Sequence, residues 1–340
     1  MKKPALLYVF TLLSFSGVFA QNGDIGDLIK GSVKDATYLL EGYVGPAMRG
    51  FGSGLNQGWY NTAKAHKTFG VDFTLNTSLM YVPTDEEYYK VDNNQLTEVK
   101  LAEYDNRPIT TTESALVPTI YGPDKSPTYQ TVESGNAFDG PPGLDLKNTI
   151  KIANALPVPM YQLGLGLPKN TDLKLRWSPT VKLGDFKFNL FGIGVMHDVG
   201  QYIPAVKALP VDISLFVGYT QLKAENSISG TVAGKDQKAA LQFDATTIQA
   251  LVSKKISVLT VYGGLGYNMV KSNLGMKGTY DLDEDPNTPE TKDPVDLNFS
   301  SSGFRATGGL RLKLAVFTFH GDYTLAKYNA LTVGFGINIR

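Results

Sequence analysis

The sequence has no cysteine among its 340 residues. Disulfides are therefore unavailable, and stability must come from packing or from closing a sheet. Lipid attachment through an N-terminal cysteine is excluded too. There is no charge excess: 32 basic residues face 32 acidic ones, which points away from nucleic acid and from anionic surfaces. Beyond the first 20 residues, no apolar run is long enough for a transmembrane helix. Insertion in a bilayer then requires a closed barrel, because hydrocarbon cannot satisfy an open sheet edge. Tryptophan is scarce, with 2 copies, whereas glycine (35) and tyrosine (18) are abundant, which suits closely packed strands and an aromatic girdle.

The first 20 residues read as a cleaved secretory signal: Lys2 and Lys3, an apolar run from Ala5 to Val18, then Val18-Phe19-Ala20. Residues 21–68 follow as a plug segment. Ile25, Leu28, Ile29, Val33, Ala36, Leu39 and Leu40 recur at helical spacing, which predicts an amphipathic helix over about 24–43. The Gly-rich stretch 44–57 is expected to be irregular or only partly helical, with Trp59 and Tyr60 completing the plug.

From Val71 the period changes to two. Val71, Phe73, Leu75 and Leu79 share one face, and Asp72, Thr74, Asn76 and Ser78 the other. The alternation recurs in about ten segments and ends on "ALTVGFGINIR", 330–340. Parity slips near Leu190–Phe191, Thr246–Thr247 and Val258–Leu259, where bulges are expected. Residues 69–340 are read as an antiparallel transmembrane barrel of 10–14 strands. Long connections (83–158, 224–238, 272–301) fall on one side, with the short 184–185 and 326–329; short ones (168–171, 253–255, 314–315) fall on the other with one longer exception, 197–210, the outer-membrane habit. Residues 84–157 are expected to add strands, with candidates at Leu96–Leu101 and Ala115–Tyr121, or to cap the mouth. The final strand is expected to pair with the Val71 strand and remove both edges.

If the apolar faces meet lipid, the lumen receives Asp72, Lys174, Arg176, Lys182, Asp212, Asp244, Arg305, Arg311, Lys313, His320 and Asp322. Arg305, Arg311 and Lys313 share a strand and suit an anionic solute, a fatty carboxylate or a phosphate. The alternative is mutual ion pairing that fills a narrow barrel. His320 and Asp322, two apart, are poorly spaced for a base and its orienter, and no Gly-x-Ser-x-Gly motif supplies a nucleophile, so no catalytic residues are assigned. The acidic stretch 281–296 has Pro286 where a calcium loop needs glycine, so no metal ligands are assigned. Trp59, Tyr60, Tyr81, Tyr161, Trp177, Tyr219, Tyr267 and Tyr323 are candidates for interface belts.

"GLNQGWYNTAKAHKTFGVDFTL" (54–75), "GIGVMHDVGQYIP" (192–204) and "LPVDISLFVGYT" (209–220) resemble a family of exported proteins from Bacteroidetes-type bacteria with no assigned function. The resemblance covers most of the mature chain and implies an outer-membrane β-barrel. The helix before the first strand is loosely similar to long-chain fatty-acid transporters of the outer membrane, whose N-terminal residues plug the lumen. The chain departs from the usual barrel ending, with Ile339 and Arg340 in place of a final Phe.

The expectation is an outer-membrane protein that passes or binds a small solute, hydrophobic or anionic, with the helix inside or beneath the barrel as plug or periplasmic cap. Its expected partners are outer-membrane lipid and the barrel-assembly machinery, with no nucleic acid and no cofactor. Two alternatives stand beside it: a barrel for structure or surface recognition, and a soluble periplasmic lipid-binding β-sandwich. An enzyme is not expected.

Overall fold

The computed structural model describes residues 32–149, 155–204, 209–227, 233–281 and 290–339. The expected signal, the plug candidates Ile25, Leu28 and Ile29, and positions 282–289 of the acidic stretch lie outside them. Ten long strands form one antiparallel ring: β1 (Val71–Tyr81), β2 (Ala155–Leu167), β3 (Thr171–Leu183), β4 (Phe186–Asp198), β5 (Asp212–Ser227), β6 (Ala233–Ile256), β7 (Leu259–Asp281), β8 (Val295–Leu314), β9 (Phe317–Leu325) and β10 (Ala330–Ile339). The ring closes between β1 and β10, from Val71 opposite Ile339 to Met80 opposite Ala330. The alternation at the end of the chain belongs to this closing strand.

Around the ring, large apolar side chains face outward. Phe304 is 85% exposed and Leu265 68%, and Trp177, Val217, Phe319 and Val333 join the same belt. A continuous apolar band on a closed barrel is a surface made for hydrocarbon. The same faces in a β-sandwich would lie under a second sheet, so the soluble sandwich is overturned.

The expected parity slips have a different cause from the expected bulges. The β5–β6 ladder runs without interruption past Thr246 and Thr247. What changes there is the solvent. Toward the turn end of β6, Ile248 and Val252 face lipid; toward the loop end, Leu241, Phe243 and Ala245 face inward while Gln242 and Asp244 face out. On β4, Phe186, Phe188 and Leu190 face in, and Phe191, Ile193 and Val195 face out. Val258–Leu259 marks a turn: Ser257 and Val258 join Ile256 to Leu259. A register shift does occur beside β4, where Pro179 and Thr180 of β3 oppose Asn189 alone. With polarity inverted, β6 begins within the expected 224–238 connection and β7 runs on to Asp281 within the expected 272–301 connection, a ribbon rising beyond the belt, and the turn lies at 257–258 in place of 253–255.

The interior is filled. Helix α1 (Val33–Gly54) runs past the expected end near 43 and takes in most of the Gly-rich stretch expected to be irregular or only partly helical, and the chain becomes irregular only after it. Small residues let it approach the wall: a side chain at Gly52 would overlap Val270, and one at Gly54 would sit 2.6 Å from Val158. Its apolar residues pack with strand residues such as Phe243, Val270 and Leu274 in one dry core. Among the described residues, 82–149 add nothing to the ring. The described part forms a cap of two small sheets, one pairing 88–92 with 114–118, the other built from 99–104, 107–108, 128–131 and 137–139. The cap is welded to α1 by Asp35, whose fully buried carboxylate accepts from the backbone N–H of Thr97, Glu98 and Val99 at 2.8–3.0 Å.

The segment therefore has a direction. Its start lies among the long connections, and its end, at His66, lies beside Asp172 next to the short turns. It crosses the barrel from the loop end to the turn end before β1 turns back, so it fills the lumen and is not a cap beneath it. In a cysteine-free chain this is directly testable. Lys34→Cys should react with a membrane-impermeant maleimide in intact cells, and Thr68→Cys only after permeabilisation. The opposite pattern would reverse the threading.

Candidate functional site: the plugged lumen and its inner mouth

Below α1 the chain descends through a layer of buried charge. The Arg176 guanidinium, fully buried, donates to the carbonyls of Leu55 (2.8 Å) and Gln57 (2.6 Å). It also lies 3.5 Å from the centre of the Trp59 ring. Arg305, from the opposite wall, donates to the Asn56 carbonyl at 2.9 Å and to Oε1 of Gln57 at 2.6 Å. Two arginines thus hold one irregular turn by its main chain. Gly58 permits that turn: its φ is +68°, and a Cβ would sit 2.6 Å from the Asn76 amide.

Trp59 packs on Phe216, with ring centres 5.5 Å apart, and Gly194 and Gly218 leave it room. Tyr60 donates to Gln249 at 2.7 Å. Thr62 and Ser253 hydroxyls meet at 3.2 Å, and Ser214 donates to the Ala63 carbonyl at 2.6 Å. His66 ends the descent: its backbone N–H and its Nδ1 each lie 2.8 Å from the Asp172 carboxylate. The Asp72 carboxylate is 3.6 Å away on the other side of the ring. These contacts are made by side chains, without strand ladders.

The lumen candidates divide. Asp72, Lys174, Arg176, Arg305, Arg311, His320 and Asp322 point inward and are buried. Asp212 and Lys313 line the inner mouth. Lys182 does not reach the lumen: the bulge at Pro179–Thr180 flips β3, so Val181 packs inward and Lys182 is exposed. Asp244 faces outward above the belt, where Tyr219, Gln221 and Gln242 donate to it. Of the plug candidates, Leu39, Leu40, Trp59 and Tyr60 are buried, the last two inside the barrel and not in an interface belt. Trp177 and Tyr323 do face outward. His320 and Asp322 do not form a pair; Tyr262 donates to Asp322 at 2.8 Å, and Nδ1 of His320 has no partner.

Asn56, Gln57, Gln162 and Asp172 were not among the candidates, although each fastens the plug. Asp172 lies on the same strand face as Lys174 and Arg176, so extending that parity by two residues finds it. Asn56 and Gln57 carry no period. In the cap, outside the membrane, burial pushes the Tyr121 and Tyr129 phenols far above their ordinary value.

At the inner mouth a cavity of about 260 Å³ remains between plug and wall. Lys64, His66 and Lys67 of the plug line one side; Lys255, Arg311 and Lys313 of the wall line the other.

The model of a family of unknown function, DUF6588, matches residues 1–339, and the chain belongs to that family. A comparison with curated proteins finds no match. Among solved structures, the chain is similar to the translocator domain of the autotransporter NalP from Neisseria meningitidis at 12% identity and a TM-score of 0.30, covering 81% of this chain and 90% of that one. It is similar to Ail, the attachment invasion locus protein of Yersinia pestis, at 9% identity and a TM-score of 0.26, covering 80% and 99%. The outer membrane protease OmpT from Escherichia coli matches at 7% identity and a TM-score of 0.27, covering 80% and 96%.

Arg176→Met should loosen the plug and leave the ring intact. It strands the Gln57 carbonyl, leaves the Leu55 carbonyl only the Thr220 hydroxyl at 3.4 Å, and removes the cation over Trp59, a loss of about 3 kcal/mol. In a Trp177→Phe background Trp59 is the sole tryptophan, so its emission should shift to the red. An unchanged spectrum would remove Arg176 as the fastener.

Proposed function

We propose that this DUF6588 member is an outer-membrane barrel that binds a small solute and admits it through a lumen gated by its own residues 33–66. One observation carries this reading: the ring of ten strands is complete without the segment that fills it. Removing that segment would expose no sheet edge, so the barrel can remain inserted while the plug moves. The long connections mark the outer side and the short turns the periplasmic side, as in outer-membrane barrels. Delivery by a cleaved signal and insertion by the barrel-assembly machinery complete this reading.

A second reading, a sealed barrel that displays its cap for recognition, is favoured by the dry packing of α1 against the wall and by the Asp35 weld to the cap. The two readings differ in whether the plug must move.

The facing hydroxyls of Thr62 and Ser253, 3.2 Å apart, offer a lock. Thr62→Cys combined with Ser253→Cys should form a disulfide between plug and β6. In planar bilayers the oxidised protein should show no conductance, and reduction should restore gated openings at the wild-type frequency. Silence in wild type and in both redox states would favour the sealed barrel.

A further inference from the structure

The inner mouth holds a charge imbalance that the plug does not resolve. Five cationic side chains line the cavity, Lys64, Lys67, Lys255, Arg311 and Lys313, against one lining carboxylate, Asp212. Asp212 lies 4.0 Å from Lys64. Two carboxylates stand behind the cavity, and they offset only part of this charge. Asp172 holds His66 and lies 3.9 Å from Lys174; Asp72 accepts from Thr74 at 2.9 Å through Oδ2, and its Oδ1, without a hydrogen-bond partner, leaves one carboxylate charge to set against Arg311. Arg311 is only 9% exposed, and its Nε has no hydrogen-bond partner. In register it stands between Thr260 and His320, so its ladder neighbours bring no negative charge, and Asp72, in the adjoining cavity, is the one carboxylate besides Asp212 set against the five cations. A guanidinium placed in the wall this way, with further cations aimed at the same space, is arranged for an anion.

The lining also says which anion. Ala65 is the one apolar side chain in it; the rest are Thr, Asn, Asp, His, Lys and Arg. A fatty carboxylate needs an apolar sleeve for its chain, and none is present here. A compact oxyanion with several acceptor oxygens matches many converging donors.

We propose that the inner mouth binds a phosphate or phosphomonoester group, with Arg311 as its principal ligand and Lys255 and Lys313 closing on it from the wall. Lys64 and Lys67 belong to the plug, so the bound anion bridges plug and wall. Only that bridging role rests on the gated reading; binding itself requires no passage.

The test uses the full chain folded in detergent micelles, titrated calorimetrically with inorganic phosphate and with dihexanoyl phosphatidic acid, at constant ionic strength set by sodium chloride. Saturable binding is expected, weakened by about tenfold or more in Arg311→Gln. Lys255→Gln combined with Lys313→Gln, at the rim, should weaken it similarly while leaving the barrel folded. Tighter saturation by inorganic phosphate identifies a free solute, and tighter saturation by the lipid identifies a headgroup; both support the site. Absence of saturation by either probe, or unchanged affinity in the folded lysine double variant, overturns it. A protein that binds phosphate yet never conducts refutes the gate and keeps this site. One that conducts without binding phosphate does the reverse.

Discussion

At the depth of acyl chains no water is available to a peptide group, and this constraint organises the rest of the molecule. Every N–H and C=O within the belt must find a partner in the protein, so the sheet has to close. The pairing of β1 with β10 performs that closure, and it explains why the final strand alternates to its penultimate residue. Closure creates a second demand. A ring of ten strands encloses more space than its own inward side chains fill, and an apolar wall cannot simply face water. Helix α1 answers that demand in the outer half of the lumen, and the Trp59 layer answers it below.

The two demands meet along the strands. In the turn-side half, lipid lies outside and a polar lumen inside. In the loop-side half, solvent lies outside and an apolar helix inside. One strand must therefore exchange its apolar parity partway along its length, with no change in backbone register. β6 does so at Thr246–Thr247. The pattern on one face records which element packs there, and the helix is as much a cause of it as the bilayer.

The ring itself was legible because lipid imposes the strict alternation that a sequence displays openly. β1, β9 and β10 keep one parity throughout and could be read residue by residue. β4 and β6 could not, because their inversion mimics a bulge until the helix is in view, and the slip before β7 was its turn. The glycines of 44–54 set the expected helix end too early for a related reason: low helix propensity was offset by close packing inside a barrel that a local reading does not contain. The lumen residues followed from parity wherever the ladder was regular. Lys182 failed because two residues opposed one at Pro179–Thr180, and Asp244 failed because it sits past the inversion. The polar clasp on the plug was beyond reach, since Asn56 and Gln57 act through an irregular turn with no period.

The two halves of the plug are held by different physics, and this bears on how it can let go. Around α1 the contacts are apolar and dry, and the helix is tied through Asp35 to the cap; separating them exposes hydrocarbon and a buried carboxylate together. Around residues 55–66 a smaller apolar cluster of Trp59, Tyr60 and Ala63 is joined by many hydrogen bonds and ion pairs, which entering water can replace one by one. Release beginning at the inner mouth meets the smaller cost, and the glycine turn at Gly58 is where the chain can bend when Arg176 and Arg305 give up their carbonyls. Release beginning at the cap would have to break the dry core first. On the proposed reading, an anion between the plug lysines and Arg311 would sit where the easier route begins and control the plug from its turn-side end.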